Sequence, residues 1–253
     1  LADSAPVARL SDEELRREAA GMWWWHSIEL RPGVVTEGRK TPEVLATEEE
    51  AILGNLRLEG RSVLDIGAWN GYFSLAAKRR GAARVLATDK FAWRSEWARG
   101  RPTIELAIRE TGLAVETMEL DPTEIGPEVG AFDVVLFLGV FYHLFDPIAV
   151  MQRLRGVTAG CLMVETHQDA LDQERPMMVF YPGTTLHDDP TNWWGPNVAL
   201  MRELLLELGY AEIWYRPHPL PEIAGPRGIY AAFLPGEAER LAATFGEPWQ
   251  RLA

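Results

Sequence analysis

Residues 63–73 read VLDIGAWNGYF: three apolar residues and an acid, then a turn holding two glycines, then an aromatic start to the next element. Val63, Leu64 and Ile66 are typical of a strand buried on both faces. Gly67 lets the chain turn sharply as it leaves that strand, and Gly71 lets the following helix come close to it. Outward from this stretch the same alternation continues. SVLDIG, ARVLATD, AVETMEL, FDVVLFLG and GCLMVETH are short runs rich in Val, Leu and Ile. YFSLAAKRRG, RPTIELAIRETG and DPIAVMQRLRGV are amphipathic segments among them. This pattern predicts an α/β fold, a mostly parallel sheet covered by helices on both faces. A further helix, NVALMRELLLELGY, and two strands, AEIWYRP and RGIYAAFL, would complete seven strands, the last two as an antiparallel pair.

Open parallel sheets bind ligands beyond the carboxyl ends of their strands. Three successive ends here carry acids: Asp65, Asp89 (24 residues later) and Asp121. A carboxylate at Asp65 would repel a pyrophosphate, which disfavours a dinucleotide, and suits a ligand with a cationic amino group. S-adenosylmethionine has one. Asp89 is placed to accept hydrogen bonds from ribose hydroxyls and Asp121 to reach an adenine amino group. Gly67, Ala68, Gly71, Gly139 and Tyr142 complete the expected cofactor cradle.

Together these features resemble the class I S-adenosylmethionine-dependent methyltransferases, with their seven-stranded Rossmann-like sheet. Within that group LDIGAWNGYF, FDVVLFLGVFYHLFDP, MVETH and WWWHSIEL resemble the family of bacterial tRNA wobble-uridine carboxymethyltransferases, over roughly residues 20–234. The pattern along the chain changes at residue 61, so a helical, aromatic cap is expected over 1–60 and the methyltransferase domain over 61–253. The resemblance implies that Trp69, where a middle glycine is common, projects away while the backbone keeps its turn. In that family a lysine, a tyrosine and an arginine hold the extra carboxylate of carboxy-S-adenosylmethionine. Tyr142 matches the tyrosine and Arg227 resembles the arginine. His26 stands nearest the lysine's place with no lysine adjacent, and a neutral histidine is a poor counter-ion for a buried carboxylate. The expectation is therefore ordinary methyl transfer to a small-molecule hydroxyl, with tRNA modification and a non-catalytic cofactor-binding role as alternatives.

Methyl transfer is an in-line displacement, and an oxygen acceptor must also lose a proton. His143, at the end of the fourth strand, is the first candidate base, because histidine exchanges protons near neutral pH. Glu165 and His167, at the end of the fifth, are further catalytic candidates. Trp23, Trp24 and Trp25 are expected to form a lid with Trp193 and Trp194 opposite, and Trp25, His26, Trp194 and Arg227 to line the acceptor site. Asn197 reads as a helix cap. Ser11 with Glu14, and Thr47 with Glu50, read as capping boxes.

The composition narrows the classes. The chain has 253 residues, 47% hydrophobic and 25% charged, which suits a globular domain with a sizeable core. A net charge of −12 gives little general attraction to nucleic acid. AAKRRGAAR, the one compact basic run, reads as a solvated helix end. No apolar run approaches the ~18 residues of a membrane span. The charged N-terminus lacks the apolar centre of a leader, and the single cysteine, Cys161, fits a reducing cytoplasm. His187, Asp188 and Asp189 are adjacent, but neighbouring loop residues rarely converge on one ion, so no metal is expected.

Overall fold

The computed structural model describes residues 10–253. Its main sheet comprises β1 (Ser62–Ile66), β2 (Arg84–Thr88), β3 (Glu116–Met118), β4 (Phe132–Leu138), β5 (Thr158–His167), β6 (Glu212–Pro217), β7 (Arg227–Phe233) and β8 (Gln250–Arg251). They lie in the order β8-β6-β7-β5-β4-β1-β2-β3. Strands β1 to β5 are mutually parallel, while β7 runs antiparallel between β5 and β6. The expected seven strands become eight in a mixed sheet, because the C-terminal Gln250–Arg251 adds an antiparallel edge to β6.

Residues of the central strands alternate between two cores. Leu64, Ile66, Val135 and Phe137 pack into one face, and Val63, Val134, Leu136 and Cys161 into the other. Helices Tyr72–Arg79, Gly100–Thr111, Pro147–Val157 and Val198–Glu207 fall where the amphipathic segments lie. Lys78 and Arg79 end the first of these, where cations suit the helix dipole. Arg80 beyond it pairs with Glu49 and Glu50. Strand order reverses at β1, between β4 and β2, so the carboxyl ends of β1 and β4 flank the crevice where such sheets bind ligands.

The N-terminal segment is less helical than its sequence promised. Ser11 and Glu14 do form a capping box for helix Asp12–Ala20. The next helix, Pro42–Leu53, starts earlier than expected. Thr41 caps it and Pro42 occupies its first turn, where the missing N–H costs nothing, so Thr47 and Glu50 lie inside it. Between the helices are four short strands, including a parallel pair formed by Trp24–His26 and Gly38–Lys40. Leu15, Trp24, Ile28, Leu30 and Val34 pack this segment onto Leu75 and Leu106 of the sheet-covering helices. No helix among the described residues is long and apolar enough to cross a membrane.

Candidate active site

At the end of β1 the backbone takes the path the glycines permit. Gly67 has φ +75°, and a Cβ there would come 2.6 Å from Val140 Cγ2, so this side of the crevice admits no side chain. The N–H groups of Gly67 and Ala68 both donate to the Thr88 carbonyl, tying the turn to β2. Gly71, at φ +81°, caps the following helix. Trp69 is itself left-handed, with φ 52°. Its N–H donates to Asp89 Oδ2 at 3.0 Å, and its carbonyl accepts the Trp93 indole N–H at 2.7 Å. The turn thus holds its shape around a tryptophan.

The acids are set as a cationic ligand requires. Asp65 is 3% exposed and accepts a hydrogen bond from Ser74 Oγ at 2.5 Å. Burial pushes its carboxyl up to about 6 against the Ser74 bond, and Asp89 adds to the rise. A buried carboxylate beside another, with no cation among the described residues bonded to it, fits the ammonium of a methionine-type ligand. Asp89 accepts from Trp69 and Ala92 N–H groups, which fix its carboxylate at the end of β2 and leave further lone pairs for ribose hydroxyls. Asp121 caps a short 3-10 turn, its Oδ1 taken by the N–H and hydroxyl of Thr123. The donor set therefore fits S-adenosylmethionine: an acid for the ammonium, an acid for the ribose and a glycine cradle between β1 and β4.

Across the crevice Gly139 follows β4 with φ +70°. Arg227, on β7, donates through Nη2 to Glu165 Oε2 at 2.8 Å and through Nε to Oε1, and its Nη1 donates to the Tyr142 hydroxyl at 3.1 Å. Burial alone would raise the Glu165 carboxyl, but the guanidinium outweighs it and holds the group below its usual range. The structure so joins three of the expected site residues into one pair and its neighbour. His143 follows Tyr142, their rings 4.1 Å apart. Its Nδ1 lies 3.2 Å from the Thr191 carbonyl and 2.9 Å from that residue's hydroxyl, which donates to Asp189. The carbonyl can only accept, so Nδ1 carries the proton and Nε2 the lone pair. Burial, with Asp189 opposing, lowers His143 to about 4, so the ring is neutral at pH 7. His167 lies with its ring 6.2 Å from that of Tyr142, and burial and Arg227 lower it likewise to about 4.

The tryptophans divide differently from the expected lid. Trp24 is buried and donates its indole N–H to the Ala19 carbonyl, so it packs the cap. Trp23 and Trp25 instead join Trp69 and Trp97 in an aromatic cluster beside the glycine turn, Trp25 stacking on Trp69 at 5.3 Å. Trp193 and Trp194 gather with Phe145 and Phe180, and the Trp194 indole donates to the Phe145 carbonyl. His26 is sealed against Tyr72 and Phe73, with its Nδ1 unpartnered among the described residues, and burial with Lys40 nearby keeps it neutral. Asn197 is the helix cap, accepting the Leu200 N–H. The loop trio diverges: Asp189 serves Thr191 while His187 packs on His167. Among the described residues no three metal-binding side chains are grouped.

Four residues of this region were not legible in spacing. Asn70 accepts the N–H groups of Trp25 and His26, pinning the aromatic segment to the glycine turn. Lys40 is brought opposite His26 by the pairing of their strands and binds Glu48 at 2.7 and 2.8 Å. Tyr181 bonds His167 and in turn donates to Asp169. Asn70 alone had a local signal, its place within the glycine turn.

Comparison with known proteins gives the family and the fold. A family model described as a methyltransferase domain matches residues 38–204. Sequence relatives named tRNA U34 carboxymethyltransferase, from Geobacter sp. (strain M21) and Citrifermentans bemidjiense, are each 27% identical over 62% of this chain. The chain spans about half the length of these curated relatives, 46% in each case. Among solved structures, the N-terminal domain of EvdMO1 with SAH bound superposes with a TM-score of 0.62 at 19% identity, covering 88% of this chain and 96% of that one. An S-adenosylmethionine-dependent methyltransferase from Mesorhizobium loti gives 0.54 at 17% identity, covering 76% and 97%. The chain belongs to the methyltransferase domain family and has the fold of its S-adenosylmethionine-dependent members.

Proposed function

We propose that the protein transfers a methyl group from S-adenosylmethionine to a hydroxyl of a small molecule. S-adenosylmethionine, when bound, supplies a methyl carbon on a sulfonium, and the C–S electron pair stays with sulfur as that bond breaks. Asp65 holds the ammonium end, Asp89 the ribose, and the turn from Gly67 to Gly71 lies against the ligand, with Gly139 and Tyr142 on the far wall. His143 Nε2 takes the proton of the acceptor hydroxyl as its oxygen forms the new O–C bond. What supports this reading is the place of His143 just beyond β4, with its Nδ1 held by Thr191 and Nε2 left as the ring's acceptor, next to the strands whose ends carry Asp65 and Asp89. The structural neighbour EvdMO1 was crystallised in the presence of SAH and D-fucose, which makes deoxy sugars a sensible first panel. The test is mass spectrometry of hydroxylated compounds incubated with methyl-labelled cofactor. A mass gain of one labelled methyl on oxygen supports the reading; transfer confined to nitrogen acceptors or to RNA contradicts it.

A second reading keeps the tRNA role of the sequence relatives, and the contact of Arg227 with Tyr142 favours it. Against it stand the net charge of −12 and the guanidinium of Arg227, whose charge Glu165 already meets. A carboxylate on the cofactor would have to compete with that internal partner.

A further inference from the structure

The assignment of His143 as base leaves a second histidine unused. His167, 4% exposed at the end of β5, has its Nε2 3.1 Å from the Tyr181 hydroxyl, and that hydroxyl donates to Asp169 Oδ2. The direction of this chain follows from counting hydrogens. Asp169 is held below its usual range by the Tyr181 bond and the Ala170 N–H, so it is ionised at pH 7 and can only accept. The one phenol hydrogen therefore goes to Asp169, and the oxygen must receive the hydrogen of His167 Nε2. Nδ1 is left with a lone pair. No described residue bonds to it, and it is not sealed off as the Nδ1 of His26 is.

The surroundings are built for this arrangement. Tyr181 follows strand Met178–Phe180, which pairs antiparallel with Trp194–Pro196. A Cβ on Gly195 would lie 2.8 Å from Tyr181 Oη and 2.9 Å from Asp169 Cβ, so glycine makes the room in which these two meet. The pair of strands is fixed to the end of β4, because Trp193 donates its N–H to the Tyr142 carbonyl at 2.8 Å. Rings of Tyr181, Tyr142 and His187 face His167, and Arg227, His187, Asp169 and Glu165 act on it electrostatically.

We infer that Tyr181 and Asp169 are positioning residues that lock His167 as a hydrogen-bond acceptor, and that His167 Nδ1 receives a second hydroxyl of the methyl acceptor. The acceptor is then a diol or polyol rather than a compound with one hydroxyl. This rests on the proposed reading of the site: His143 and His167 both flank Tyr142 and both offer lone pairs, one to the hydroxyl that is methylated and one to its neighbour. A site that hydrogen-bonds a substrate hydroxyl rejects the analogue lacking it, because its own acceptor goes unpaired.

Two measurements test this. The first needs neither cofactor nor acceptor: nitrogen-15 NMR of the imidazoles at pH 7. His167 is expected as the pure Nε2–H tautomer in the wild type and as a mixture in Tyr181→Phe. A mixture in the wild type overturns the lock. The second compares catechol with phenol, and cis-cyclohexane-1,2-diol with cyclohexanol. Binding is followed by calorimetry to protein saturated with S-adenosylhomocysteine, and transfer with labelled S-adenosylmethionine. The wild type is expected to favour at least one diol over its partner by about 10- to 100-fold, the span of one to two buried hydrogen bonds. His167→Ala is expected to bring that ratio to about 1, while His167→Asn, whose amide oxygen accepts, keeps part of it. Absence of any diol preference, or a preference that survives His167→Ala, overturns the inference. Because binding is read without turnover, a failure of His143 as base shows separately, as diol-selective binding with no transfer.

Discussion

Replacing Asp65 with asparagine tests whether the site holds a carboxylate in readiness for a cation. In the ligand-free protein that carboxyl is raised from 3.8 to about 6, first by burial and then, after the opposing Ser74 bond, by Asp89. Each pKa unit is about 1.36 kcal/mol of preference for the protonated form, so keeping Asp65 ionised at pH 7 costs the fold about 3 kcal/mol. The sign follows from the raised folded value. The burden is absent below pH 3.8, grows as pH rises towards 6 and is constant above it, reaching about half its full size at pH 5. Asparagine is nearly the same size and its amide oxygen still accepts from Ser74 Oγ. Asp65→Asn is therefore expected to stabilise the ligand-free protein by up to about 3 kcal/mol at pH 7, or roughly 6–12 °C in melting temperature for a chain of this length. It should also abolish measurable affinity for S-adenosylmethionine. Urea unfolding at pH 5 and pH 7 reads the first effect and calorimetry the second. A variant no more stable than the wild type at pH 7, with a difference that does not change with pH, refutes the reasoning.

Other residues give independent tests. Asp89→Ala removes the acceptor for two ribose hydroxyls and is expected to weaken cofactor binding about 100-fold or more, measured by calorimetry. His143→Ala is expected to lower kcat by about 10²–10⁴ while cofactor affinity changes little, the mark of a lost general base. Arg227→Ala leaves Glu165 buried without its partner and should cost about 3–5 kcal/mol in urea unfolding, whereas the double replacement Arg227→Met with Glu165→Leu should cost much less. His143 and His167, both depressed to about 4, remain uncharged in the fold while the unfolded chain binds protons below pH 6.5. Their contribution is complete above pH 6.5 and is lost as pH falls towards 4. Replacing both with asparagine is expected to flatten the acid limb of the stability curve.

The parts of this fold that sequence could supply are the local ones. A strand buried on both faces must be apolar, so β1, β2, β4 and β5 stand out, and a turn needing positive φ marks itself with Gly67 and Gly71. The acids that close β1 and β2 are legible for the same reason, since strand and acid adjoin. What depends on pairing between distant segments was not. Trp24–His26 and Gly38–Lys40 are three residues each and become strands only through one another, which also hid Lys40. Gln250–Arg251 is a strand only because β6 offers a free edge. Thr47 carries the capping-box spacing, yet the cap is Thr41, because Pro42 suits a first turn. Two site features required the tertiary structure outright: the Glu165 pair with Arg227 and the chain from Asp169 to His167.

The most direct measurement is a pair of calorimetric titrations of the purified protein, one with S-adenosylmethionine and one with carboxy-S-adenosylmethionine. Asp65, Asp89 and the glycine turn should bind the ordinary cofactor at one site, and Glu165, already seated on Arg227, should make the carboxylated form the weaker ligand. Binding of neither contradicts the site itself. Tighter binding of the carboxylated form contradicts methyl transfer as the reaction and puts Arg227 and Tyr142 at the service of the cofactor.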